Sequence, residues 1–231
     1  MDPERARIQA DLSGQLDGEI RCDDAYLQMY ASDASIYEIR PLGVVRPNHV
    51  ADVIACVNYA RENNVPLFPR GSGSNIVGAS IGAGLILDFS HSMHRVLKID
   101  RETVEVEPGV VLANLNRDLE PHGRLFGPDP DRRSVTTMGG VLAMNSSGSH
   151  WIKYGTPREK ILQLKVVMAD GNLVTFHAAG ANSTADTQSD STDVRLRSRI
   201  ELLLDRHADA LNENRPNVLI NHAGYLSLIH I

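Results

Sequence analysis

Pro69-Arg70-Gly71-Ser72-Gly73-Ser74-Asn75 is the stretch of this chain whose residue types best suit binding chemistry. Gly71 and Gly73 carry no Cβ and take positive φ freely, so consecutive backbone N–H groups can converge on one point and approach a ligand closely. Such a nest suits a phosphate, although a tight strand-to-strand turn uses the same glycines. Two common phosphate loops are excluded by their own mechanics. The chain has no Gly-Lys-Ser or Gly-Lys-Thr, the residues that a P-loop sends to the β/γ-phosphates and Mg²⁺. Ile76 stands where a Rossmann turn needs its third glycine or alanine, and Val77 to Gly84 is no helix pattern. The ligand must then be held by backbone amides without a helix N-terminus behind them.

A second glycine- and hydroxyl-rich stretch comprises Thr136-Thr137-Met138-Gly139-Gly140 and Asn145-Ser146-Ser147-Gly148. Two turns flanking a helix-like Val141 to Met144 account for the glycines but not for so many hydroxyl and amide groups. Together the two stretches favour a nucleotide-type ligand approached from two sides. Metal chemistry has little support. His91 and His94 are the closest histidine pair and lack a neighbouring carboxylate or cysteine set. Cys22 and Cys56 are too few for an iron–sulfur cluster or a disulfide framework and read as reduced thiols.

The elements that must position these loops follow from periodicity. Residues 1–36 are polar, with short helices expected at Ala6 to Leu12 and Ala25 to Tyr30. Val44-Val45 reads as a strand, and Asn48 as the cap of a helix carrying Val50, Val53, Ile54 and Val57 and ending at Asn63-Asn64. Val65 to Phe68 then leads as a strand into the Arg70 loop, and Leu85 to Asp88 leaves it as another. Val96 to Ile99 and Thr103 to Val106 read as strands, and Leu112, Leu115 and Leu119 space a helix stopped by Gly123. A second strand-helix-strand unit is therefore expected. Phe126-Gly127-Pro128-Asp129-Pro130 is too rigid for helix. Leu162 to Met168 and Leu173 to Phe176 form a hairpin at Asp170-Gly171. Residues 178–193 read as a flexible insertion, and Leu196 to Leu211 as a helix with Ile200, Leu203 and Leu204 inward.

Composition bounds the rest. The chain has 231 residues, 42% of them apolar and 23% charged, which is the make-up of an ordinary globular protein. A net charge of −6 without a basic stripe argues against nucleic acid. Met1-Asp2-Pro3-Glu4-Arg5 lacks an apolar signal-peptide core and no run is long enough for a transmembrane segment, so a cytoplasmic location is expected.

Taken in order, the motifs closely resemble the FAD-binding domain of the vanillyl-alcohol oxidase/p-cresol methylhydroxylase (PCMH-type) superfamily, in its D-lactate and glycolate dehydrogenase branch. The matching residues are Pro69-Arg70-Gly71-Ser72-Gly73-Ser74, Pro121-His122-Gly123, Gly127-Pro128-Asp129-Pro130, Thr137-Met138-Gly139-Gly140, Asn145-Ser146-Ser147-Gly148, Tyr154-Gly155 and Ala169-Asp170-Gly171. The resemblance implies an α+β fold of two α/β subdomains with FAD between them. Residues 1–36 would be a helical leader, 37–215 the FAD-binding domain, and 216–231 the start of a substrate domain or an aberrant tail. Pro69 to Asn75 would cradle the pyrophosphate, with Arg70 either pairing with phosphate or bracing backbone carbonyls. Pro128, Asp129, Thr137 to Gly140, Asn145 to Gly148, Tyr154 and Gly155 would line the ribityl chain and flavin. Some relatives attach flavin through a histidine where this chain has Ser74, so FAD is expected to be non-covalent. Ser147 takes the place of a cysteine common among relatives fused to iron–sulfur modules.

The implied reaction is oxidation of a 2-hydroxy acid to a 2-oxo acid. Electrons would pass to an iron–sulfur module, a quinone or another redox protein, with peripheral attachment at the inner face of the membrane an accompanying expectation. His150, Trp151, Lys153 and Tyr154 lie near the expected flavin edge, and no catalytic base is named, because the family supplies it largely from a second, C-terminal domain. Asn221 to Tyr225 resembles the entry into that domain and the residues after it depart from the pattern, so the chain is expected to be part of a longer dehydrogenase. A sugar or lactone oxidase, a UDP-sugar enolpyruvate reductase-like flavoenzyme and a non-catalytic nucleotide-binding module are the alternatives.

Overall fold

A computed structural model of the chain describes residues 2–130, 132–178 and 191–214. Its first unit is a four-stranded sheet in the order β1-β2-β4-β3. β2 (Gly43–Arg46), β4 (Leu85–Asp88) and β3 (Leu67–Arg70) run parallel, and β1 (Glu19–Arg21) pairs antiparallel with β2. Central β4 is buried along its whole length, as a parallel strand covered on both faces must be. β3 lies at the sheet edge, which accommodates Pro69 and its missing N–H.

Both faces of the sheet are covered by helices. α1 (Pro3–Ser13) and α3 (Val50–Asn63) bury Ile8, Leu12, Val53, Cys56 and Tyr59 against Val45, Leu85 and Leu87. α2 (Asp24–Tyr30) packs Tyr26, Leu27 and Tyr30 on the opposite face against Val44 and Ile86. The two cysteines are core residues, and burial pushes the thiols up to about 11 for Cys22 and about 12 for Cys56.

The start of α3 differs from expectation. His49, not Asn48, is the N-cap and makes no side-chain cap bond. The buried Asp52 carboxylate, reaching back from the first turn, accepts the Asn48 N–H at 2.8 Å and the Asp17 N–H at 3.0 Å, so it pins the entry into the helix to the segment after α1. Asn64 ends the helix in the left-handed conformation.

The second unit is also not the expected strand-helix-strand. β5 (Val96–Ile99) and β6 (Val104–Val106) form an antiparallel hairpin, and α4 (Leu112–Leu119) buries Leu112, Leu115 and Leu119 against it. Gly123, in the left-handed region, closes the short 3₁₀ turn Glu120–His122 that follows. No strand comes directly after α4, because Pro128 and Pro130 lack the N–H groups a ladder requires. β7 (Gln163–Val167) pairs instead with β8 (Leu173–His177) across the Asp170-Gly171 turn.

α5 (Met138–Ala143) and α6 (Trp151–Tyr154) are short. The last helical stretch breaks at His207 into α7 (Ser191–Arg206) and α8 (Ala208–Glu213), so residues 191–193, expected in the flexible insertion, belong to a helix. Ile200 and Leu203, expected inward, are exposed among the described residues; α7 packs along β8, where Arg197 donates to the His177 carbonyl. Residues 179–190 of the insertion and the 216–231 tail lie outside the described residues. No helix of the described residues is long and apolar enough to cross a membrane.

Candidate functional site

β3 and β4 end side by side, with Arg70 opposite Asp88, and the glycine loop begins there. The Arg70 guanidinium turns back into the protein. Its Nη1 donates to the carbonyls of Tyr30 at 3.4 Å and Ser80 at 3.5 Å, and its carbon lies 5.1 Å from the Tyr30 ring centre. Of the two roles open to Arg70, this is the geometry of a brace. Burial lowers its pKa from the ordinary arginine value. Gly73 has φ 69°, and a Cβ there would sit 2.5 Å from Arg70 Nη2, so only glycine fits over the guanidinium.

Among the described residues, the N–H groups of Gly71, Ser72, Gly73, Ser74, Asn75 and Ile76 have no hydrogen-bond partner. Those of Val77 and Ala79 are taken by Asn75 Oδ1 at 2.8 and 3.1 Å, which closes the loop. The Ser72 and Ser74 hydroxyls lie 3.3 Å apart beside the free amides.

α5 supplies a second wall. Thr137 is its buried N-cap, and a Cβ on Gly71 would collide with Thr137 Oγ1, so the two glycine stretches are in contact. The N–H groups of Met138 and Gly139 donate to the carbonyls of Val110 and Pro108, each at 2.8 Å, and the Met138 side chain belongs to the core with Leu112 and Leu115. A Cβ on Gly139 would lie 3.0 Å from Pro108 Cβ, and one on Gly140 3.5 Å from Thr137 Oγ1. After α5 the chain turns at Asn145, φ 47°, whose buried Oδ1 accepts the Arg158 N–H at 3.2 Å. Met144, Asn145, Ser146, Ser147 and Gly148 line an open groove of about 300 Å³. Asn75 Nδ2 lies 3.9 Å from Met144 Sδ, which links the loop to this groove.

The segment before α5 braces the far side of the groove. Pro128 is buried, and the Asp129 N–H donates to the Ser147 carbonyl at 3.1 Å. Gly148, φ 72°, lies against the Asp129 backbone, where a Cβ would collide with the Asp129 carbonyl. The Asp129 carboxylate accepts the His150 N–H at 3.1 Å and is also hydrogen-bonded to His150 Nδ1. Burial works to raise its pKa, yet the His150 donors hold it below the usual carboxylate value. Tyr154 packs on Gly127, with Lys153 Nζ 4.9 Å from its ring centre, and Gly155, φ 74°, lies against Glu159.

Sequence reasoning passed over two features. Tyr30, Asp33 and Ala34 of the N-terminal stretch contact the glycine loop across some 40 residues of chain, and no local pattern announces that. The Asp129–His150 pair has no motif spacing either. The residues fit FAD. A row of free backbone donors suits a pyrophosphate, the groove offers amide and hydroxyl groups to a polar chain, and glycines stand where side chains would obstruct.

Comparison with known proteins agrees with this chemistry. Residues 41–177 match the family described as FAD binding domain. The chain is 35% identical over 167 residues to the glycolate oxidase subunit GlcD of Bacillus subtilis, covering 69% of this chain and 35% of that protein. It is 35% identical over 159 residues to the D-2-hydroxyglutarate dehydrogenase of Pseudomonas putida, covering 67% and 16%. A D-lactate dehydrogenase of Anaerostipes hadrus is 32% identical over 158 residues, covering 66% and 33%. Among solved structures, an alkyldihydroxyacetonephosphate synthase superposes with a TM-score of 0.64 at 27% identity, over 79% of this chain and 35% of that one. A 6-hydroxy-D-nicotine oxidase of Arthrobacter nicotinovorans gives 0.62 at 25% identity, over 70% and 36%. The matched region spans about a third or less of the length of these relatives.

Proposed function

The chain belongs to the family of FAD-binding domains, and on that premise we infer that it is the FAD-binding part of a dehydrogenase that oxidises a 2-hydroxy acid to a 2-oxo acid. The observation that carries the site is the run of six partnerless N–H groups from Gly71 to Ile76. These amides, with the Ser72 and Ser74 hydroxyls, hold the pyrophosphate. Arg70 holds the loop's shape from beneath. Thr137, Gly139, Gly140 and Asn145 to Gly148 line the ribityl chain and flavin, with Met138 anchoring that wall in the core. Pro128, Asp129, Tyr154 and Gly155 keep it in place. FAD, when bound, supplies the two-electron acceptor for the substrate's carbinol carbon. The 2-hydroxy acid class is supported by the names of the relatives, which are a glycolate oxidase subunit and dehydrogenases of D-2-hydroxyglutarate and D-lactate. An iron–sulfur module, a quinone or another redox protein takes the electrons onward, in the cytoplasm or at the inner membrane face.

Ser74 offers no imidazole for a covalent flavin link, so the cofactor is dissociable. The test is the visible spectrum of the purified chain after incubation with FAD and desalting, followed by acid precipitation. A retained flavin spectrum, with the flavin released to the supernatant by acid, is the expected result. A folded chain that keeps no flavin overturns the reading of the Arg70 loop, and flavin trapped in the pellet overturns the non-covalent assignment.

A further inference from the structure

The N-terminal stretch ahead of the matched family region touches the glycine loop at four places. The Tyr30 carbonyl accepts from Arg70 Nη1 and its ring lies under the guanidinium. The Tyr30 hydroxyl donates to Asp88 Oδ2 at 2.6 Å and accepts from Arg46 Nη2 at 3.3 Å, which fixes the tyrosine to the ends of β4 and β2. The Ala34 N–H donates to the Gly73 carbonyl at 2.9 Å. Asp33 Oδ2 accepts the Ser80 hydroxyl at 3.0 Å, and the Tyr37 ring lies against Gly78, where a Cβ would be 2.9 Å from Cδ2.

One of these contacts orients a loop amide directly, and the others hold the chain on either side of it. In a trans peptide the C=O and the following N–H point in opposite directions. By holding the Gly73 carbonyl, Ala34 turns the Ser74 N–H away from the N-terminal segment. The Phe89 N–H does the same for the next peptide but two upstream, holding the Arg70 carbonyl at 2.9 Å and so aiming the Gly71 N–H outward. A glycine-rich loop left unheld loses that alignment, and ordering it on binding weakens affinity.

We propose that residues 30–37 are a strap that positions the loop amides and so sets affinity for the diphosphate of the cofactor, with Tyr30, Asp33 and Ala34 as positioning residues. The proposal rests on the reading that the amides of Gly71 to Ile76 hold the pyrophosphate. Its test compares Asp33→Ala and Ala34→Pro with the unaltered chain, titrating each with FAD and with ADP and measuring the urea midpoint. ADP shares the diphosphate and lacks the flavin. FAD and ADP affinities are expected to fall by the same factor, about five- to tenfold, which is the scale of one lost hydrogen bond, while the urea midpoint of Asp33→Ala holds. Should Ala34→Pro fail to fold, Asp33→Ala decides alone. Unchanged affinities, or a loss for FAD that spares ADP, overturn the strap. An unaltered, folded chain that binds neither FAD nor ADP overturns the pyrophosphate reading beneath it.

Discussion

Two glycines with similar backbones have different work to do. Gly73 and Gly123 both lie in the left-handed region, at φ 69° and 65°. A Cβ at Gly123 meets nothing within 4 Å, whereas one at Gly73 meets the Arg70 guanidinium at 2.5 Å. Gly123→Ala should therefore lose only the left-handed penalty, about 1–2 kcal/mol of stability, and leave FAD affinity unchanged. Gly73→Ala adds displacement of the brace and rotation of two loop peptides, so FAD affinity should fall about tenfold or more. Flavin fluorescence titration of the two variants, beside their urea midpoints, checks this. Equal FAD affinity in both would mean that the Gly73 amide is not part of the site.

At the scale of elements, the start of α3 ties the first unit together. Asp52 is 1% exposed and accepts two backbone N–H groups, from Asp17 and Asn48, so Asp52→Ala strands both donors. A loss of about 2–4 kcal/mol in urea unfolding is expected. His49 beside it donates to Asp17 at 2.8 Å, and that hydrogen bond raises its pKa above the ordinary histidine value. A raised folded pKa contributes stability that is complete below the unfolded value of about 6.5 and is lost as pH rises through the folded value. The urea midpoint should therefore drop between pH 6 and pH 8, and His49→Gln should flatten that drop; an identical slope in both proteins would remove His49 as its source. Much of this level was legible in the sequence. The apolar runs of β3 and β4, the leucine spacing of α4 and the Asp170-Gly171 turn are local patterns, and local patterns survive folding. Asn48 misled because its own N–H is taken by the Asp52 carboxylate and its side-chain amide donates to the Asp17 carbonyl at 2.7 Å, so the cap position falls to His49. Ile200 and Leu203 misled because helical spacing reveals a face but not what covers it. The contacts of Tyr30, Asp33 and Ala34 with the loop had no local trace, since they join segments that only the sheet brings together.

At the scale of the whole molecule, the candidate site lies where the two units meet. Gly71 of the first touches Thr137 of the second, Asn75 reaches Met144, the Gly109 N–H donates to the Met93 carbonyl, and Val167 of β7 packs against the core that contains α3. A ligand spanning the Arg70 loop and the 144–148 groove therefore draws on both units at once. Binding to the native state alone stabilises it by about 2.7 kcal/mol at a ligand concentration a hundred times Kd. For a chain of this length that raises Tm by roughly 5–10 °C. FAD should shift a single cooperative calorimetric transition by that amount, and riboflavin, which lacks the diphosphate, should shift it far less. Two transitions of which FAD moves only one would place the cofactor on one unit and break the link between the loop and the groove. A riboflavin shift equal to that of FAD would leave the partnerless amides of Gly71 to Ile76 without a role in holding the cofactor.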